Sequence, residues 1–262
     1  MQKLLLSLTL ITLLGWSVPG QVQSPQTSPN VLSELRSADV HDRAAAIEVL
    51  SSMSAEAVPE GISRALADLL VQETQLLESV LRKSNGTVGL SGQYGESYSE
   101  YYSEVLGSLE RLGDKRDQRV LEALAKASYN ADSSFAVKVA TDYGENILPM
   151  VIDLSQSDLR YRRMQAIEML GTIVSNCTAL LPSSANRIRT AVLEALSDQA
   201  NGIRLVAVQV LSRVGTEADI PLLEKIAKTD PDISKMPDGK NRYFIREAAL
   251  EAITKIRQQS AK

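Results

Sequence analysis

"IRLVAVQVLSRV", residues 203–214, sets Arg204, then Ala207 three residues on, then Leu211 four further. Spacings of three and four bring all three to one side of a helix. The pattern returns in "DRAAAIEVLSSM" (42–53), "RRMQAIEMLGTI" (162–173) and "IREAALEAITKI" (245–256). There it reads Arg43, Ala46, Leu50; Arg163, Ala166, Leu170; and Arg246, Ala249, Ile253. The small residue permits a neighbouring helix to come close, and the Leu or Ile supplies bulk to bury. Arg163 to Arg204 is 41 residues and Arg204 to Arg246 is 42, while Arg43 to Arg163 is 120, three intervals of 40.

A second helix stands before each of the last three: "NILPMVIDL" (146–154), "NRIRTAVLEALS" (186–197) and "ADIPLLEKIAK" (218–228). A period near 40 made of two helices is the range of the armadillo and HEAT solenoids. These segments resemble the HEAT family, in particular the short bacterial form also found in phycobilin lyases. The family sets an Asp before the Arg-bearing helix and a Pro in the first helix; Asp198, six before Arg204, and Pro149, fourteen before Arg163, match. Ser37, Ser157 and Lys240 stand where the other three repeats would carry that Asp. The resemblance covers 145–257 and, less fully, 29–54; between them 62–81, 101–113, 119–128 and 135–144 are helical in pattern only. It implies an all-α fold: a right-handed α-solenoid of about six helical hairpins spanning 31–258 as one domain, its ends closed by polar faces. The arginines are then structural, their stems covering apolar surface.

The N-terminus reads as a targeting segment. Met1-Gln2-Lys3 is followed by the apolar run Leu4 to Trp16 and by "SVPGQVQS", the three-part layout of a secretory signal peptide over residues 1–20. The run is too short for a membrane-spanning helix, so no span is expected once the signal is removed, and a periplasmic or secreted location follows. Residues 21–30 are polar and Pro-containing, a disordered lead-in. Without Lys3 the chain carries 27 basic against 32 acidic residues, which disfavours nucleic acid as a partner. Cys177 is the only cysteine, so no intramolecular disulfide forms.

Little catalytic equipment is present. One His, His41, at a helix start, and one Cys do not assemble a zinc site, and no metal or cofactor is expected. No nucleophile elbow and no Gly-rich phosphate loop occurs. Asp230, Asp232 and Asp238 in "DPDISKMPDGKN" (230–241) lack the spacing of a calcium loop and read as an inter-helix connection. Carboxylates are plentiful, so a helical hydrolase using two of them on a glycan or polymer is the alternative to a non-enzymatic role.

"SNGTVGLSGQYGESYSEYYSE" (84–104) interrupts the helices. The step from Arg43 to its equivalent near Tyr102 is 59 residues, some twenty over the period, and the excess is placed on a Gly/Tyr-rich loop at 82–97. Inserted residues in such repeats emerge as loops on one face, often the binding face. Tyr94, Tyr98, Tyr101 and Tyr102 are the candidate binding residues, with Tyr101 or Tyr102 falling on the apolar stripe of the following helix. The expected function is an exported, non-catalytic module that binds or scaffolds protein partners.

Overall fold

The computed structural model describes residues 30–83, 96–127, 133–176 and 180–260. The signal peptide, nearly all of the lead-in, Tyr94 and Cys177 lie outside the described residues. The fold is all-α. Its helices are α1 (Val31–Leu35), α2 (Val40–Ser51), α3 (Ile62–Lys83), α4 (Glu96–Leu112), α5 (Gln118–Ala127) and α6 (Ser133–Tyr143). They continue with α7 (Leu148–Ser155), α8 (Arg160–Asn176), α9 (Pro182–Ala195), α10 (Asn201–Val214), α11 (Ile220–Thr229) and α12 (Phe244–Ser260). Among the described residues the only strands are β1 (Ser234–Lys235) and β2 (Asn241–Arg242), a two-residue antiparallel ladder.

Local chemistry sets where these helices start and stop. Pro149, Pro182 and Pro221 occupy the first turn of α7, α9 and α11, where a missing N–H costs nothing. The Asp39 carboxylate accepts the His41 N–H at 2.8 Å and caps α2. Ahead of α11, Thr216 and Asp219 form a reciprocal capping box. The end of α2 is closed from outside its own segment as well. Arg111 on α4 donates to the Leu50 carbonyl in the last turn of α2 at 2.7 Å.

Helices pack by order in the chain. α1 packs on α2, α3 on α4, α5 on α6, α7 on α8, α9 on α10 and α11 on α12. The first members of these pairs also touch one another in sequence from α1 to α9. Among the second members α2 touches α4, and α6, α8, α10 and α12 touch in order. The position four after the recurring arginine shows the result: Ile47, Ile167 and Val208 are fully buried. Each such side chain contributes roughly 1.5–3 kcal/mol of apolar burial. Gly171 allows α8 and α10 to approach, since a Cβ there would sit 2.7 Å from Val210 Cγ2.

Two expectations need correction. The insertion is not a loop over all of 82–97: α3 runs on to Lys83 and α4 begins at Glu96, so both flanks are helical. A stripe of buried residues (Thr74, Leu77, Glu78) continues along the extension of α3, which is why it stays helical despite its charges. Nor is the C-terminal edge closed by a wholly polar face. Leu250, at the position that buries Ile47, Ile167 and Val208, is 58% exposed.

Candidate functional site

The recurring arginines converge on one kind of contact. The Nη1 of Arg163 donates to the carbonyls of Ser157 and Asp158, that of Arg204 to Asp198 and Gln199, and that of Arg43 to Ser37 and Ala38. Each therefore grips the turn six and five residues before itself. The rest of the guanidinium reaches the next helix pair. Arg163 makes a bidentate pair with Asp198 (2.7 and 3.1 Å), and Arg204 makes one with Asp230 (2.8 and 3.1 Å). Bidentate, charge-assisted pairs fix geometry as well as contribute energy. Burial pushes the Asp198 and Asp230 carboxyls up, but these arginines and the Ala200 and Asp232 N–H groups hold both below the usual carboxylate range.

The spacing that places Lys240 opposite the expected Asp is therefore misleading. Arg246 donates to the Asp230 carbonyl at 2.7 Å, sixteen residues back rather than six. The ten extra residues (16 − 6) fold out as the β1–β2 hairpin, turning at Gly239 with φ +81°. Asp230 thus keeps the place in the series that its numbering hides. Asp232 meanwhile accepts from the Asn201 amide at 2.7 Å, and Asp238 accepts the Lys240 N–H at 3.0 Å.

In the first helix pairs the same place is filled differently. Arg43 meets Glu73 at 3.1 Å and the Tyr101 hydroxyl at 3.1 Å, and Tyr101 donates to Glu73 at 3.2 Å. Glu73 is 2% exposed and still inside α3, where the later pairs have already turned. Tyr101 and Tyr102 are 7% and 2% exposed. Burial, against Arg43's opposing pull, pushes the Tyr101 hydroxyl up to about 12, so it stays protonated. Tyr102 shares a 2.8 Å hydrogen bond with Thr74. Both rings belong to the interior, and neither is placed to meet a partner. Tyr98 lies in α4 and its side chain is outside the described residues, like Tyr94.

Further along α3, Glu78 pairs with Arg162 of α8, and Arg82 pairs with Asp158 at 2.8 Å. Both members of the first pair are largely shielded from water, which holds the Arg162 guanidinium below its ordinary pKa. The extension of the second helix pair thus reaches the turn of the fourth. Nothing in the sequence pattern marked Glu73, Glu78 or Arg162. For Glu73 alone a signal is there to find, a carboxylate whose helical neighbours Leu69, Leu70, Leu76 and Leu77 are all apolar.

The second members of the pairs also frame open grooves. One, of about 710 Å³, lies between α2 and α4, with His41, Glu48, Glu104 and Arg111 on its walls and Ala44 and Gly107 among its small residues. A Cβ at Gly107 would meet nothing within 4 Å. A smaller groove of about 330 Å³ between α10 and α12 carries Gln209, Arg213, Glu251 and Lys255. Lys138 spans α4 and α6 between them, holding Glu110 at 2.6 Å and Asp142 at 2.7 Å. Among the described residues no group of His, Cys, Asp and Glu is arranged to hold a metal ion, and no helix is long and apolar enough to cross a membrane. No family model matches this chain, and no curated protein matches its sequence.

Proposed function

We propose that this chain is a right-handed α-solenoid of about six HEAT-like hairpins that binds or scaffolds protein partners, with the α2–α4 groove as the contact site. The arginine spacing and the ordered packing of helix pairs support the first part. One observation carries the second: Gly107 sits inside a helix, faces the groove, and has no neighbour that needs its small size. A mid-helix glycine costs roughly 0.8–1 kcal/mol relative to alanine. A shallow trough with Glu48 and Glu104 on its walls and an arginine at one end suits a peptide or helix carrying basic groups. An exported location follows from the N-terminal pattern and is part of the same reading.

Gly107→Gln tests the site. It places a side chain in the trough while improving helix propensity, so melting temperature should hold or rise. Partner capture from the producing cell should fall together with that of Glu48→Lys. Undiminished capture of the same partner by both variants overturns the site. Because Glu48 and Glu104 stand across one groove, a hydrolase is the second reading. Turnover of a glycan or peptide substrate that disappears in Glu104→Gln would favour it.

A further inference from the structure

The two ends of the stack are open in complementary ways. At the C-terminal edge Arg246 lacks what its equivalents have. Arg43 takes Glu73, Arg163 takes Asp198 and Arg204 takes Asp230, each from the following helix pair. Among the described residues Arg246 makes no salt bridge; its guanidinium lies 4.4 Å over the Tyr243 ring and donates to the Asp230 carbonyl, and the one carboxylate whose pKa it helps to lower, that of Asp230, is already clasped by Arg204. Beside it Leu250 stands uncovered at the position buried everywhere else in the series.

At the N-terminal edge the register runs the other way. The position six after the arginine is buried at Met169, Val210 and Ala252 but only half-buried at Val49. The position just before the arginine is buried at Ile203 and Ile245 and largely so at Arg162, but Asp42 there is exposed. Ser37, which occupies the place of Asp198, donates to the Asp42 carboxylate at 2.7 Å and brings it close to where Asp198 and Asp230 sit in the last two pairs. One end offers an arginine and a leucine, the other an aspartate and a valine. Net charge agrees: Arg242, Arg246, Lys255 and Arg257 outnumber Glu247 and Glu251, whereas Glu34, Asp39, Asp42 and Glu48 outnumber Arg36 and Arg43.

We propose that the C-terminal edge of one chain docks on the N-terminal edge of a second copy, Arg246 meeting Asp42 and Leu250 covered by Val49, so that the protein associates head to tail. The contact reuses the chemistry that joins each helix pair to the next within the chain, and it does not depend on the groove reading. Unlike edges joined in this way do not close on themselves at two, so association continues beyond the dimer unless the rotation makes a ring. Burial of one leucine and one ion pair makes it weak and salt-sensitive.

The test is sedimentation velocity on the full chain over a concentration series at low and high salt. The 21–262 form is run alongside, so that clustering through the apolar N-terminal run is told apart. Leu250→Glu, and Thr254→Arg one turn on, disable the tail; Asp42→Lys disables the head. All are exposed positions, and circular dichroism checks their folding. The expected result is concentration-dependent association beyond the dimer, weakened about tenfold or more by each variant. An equal mixture of Leu250→Glu and Asp42→Lys should form dimers and stop there, because one live head and one live tail remain. A wild-type chain that stays monomeric throughout, association untouched by the tail variants, or a mixture that stays monomeric overturns the proposal.

Discussion

From α7 onward the helix pairs are joined by one repeated clasp, an arginine bidentate to an aspartate in the next turn. From α1 to α5 the same job falls to a buried cluster, Glu73 with Arg43 and Tyr101, and to Glu78 with Arg162 on an over-long α3. The clasp is modular: each needs only its own turn and the next. The buried cluster is not, since Arg162 and Asp158 answer residues that lie two helix pairs earlier in the chain. The difference teaches that a repeat can lose its signature residue and keep its geometry, provided a carboxylate still reaches the arginine.

The largest effect that would sharpen this contrast is expected at Arg162. Arg162→Met takes the close partner from the buried Glu78, leaving it only Arg82 at 3.8 Å, and such a loss costs up to about 3–5 kcal/mol. Chemical denaturation should show that loss, and adding Glu78→Met should recover most of it, since an apolar pair of similar volume is tolerated. If Arg162→Met alone costs no more than an exposed arginine would, the buried pair does not anchor the extension.

How far the sequence revealed these joints follows from their chemistry. The arginines are legible because Arg163, Arg204 and Arg246 recur about every forty residues; their acids are not, since Asp198 alone stands six before an arginine and it is held by Arg163 of the pair before. At Arg246 the spacing points to Lys240, because a hairpin insertion displaces Asp230 in number while leaving it in place in space. Helices 62–81 and 101–113 were found by pattern, but their junction was not. A buried Glu73 paired through space with Arg43 has no fixed spacing to betray it. Of the four candidate tyrosines, the apolar stripe of α4 points to Tyr101 or Tyr102 as interior; that both are follows from Glu73 and Thr74 of α3, which receive the two hydroxyls and stand at no fixed spacing from them.

A smaller effect probes packing in the regular half. Gly215→Ala should cost about 1–3 kcal/mol, because a Cβ there would sit 2.6 Å from Ile256 Cδ1 and as close to the Leu211 carbonyl. A neutral result in thermal melts would mean that α12 shifts freely against α10. Gly107→Ala in the first half, with nothing near it, should instead hold or gain stability.

The smallest effect at neutral pH, and the one that grows with acid, belongs to the aspartates. Asp198, Asp219 and Asp230 are held below the usual carboxylate range in the folded chain. The unfolded chain therefore binds more protons around and below pH 4, and stability rises with pH across that window. The contribution is present above the unfolded carboxylate pKa and is lost as pH falls through the folded values. Melting temperature should drop more steeply with acid in the wild type than in Asp230→Asn. Parallel curves would detach Asp230 from the clasp.

The most direct test of the clasp as the joint between helix pairs is a double-mutant cycle on Arg204→Met and Asp230→Asn, read by urea unfolding. The two residues are 26 apart in sequence and join α10 to the turn after α11. The predicted coupling is about 1.5–3 kcal/mol, the range for contacting residues in one charged hydrogen-bond network. Losses that add to within about 0.5 kcal/mol would mean that the arginine and the aspartate do not hold neighbouring pairs together.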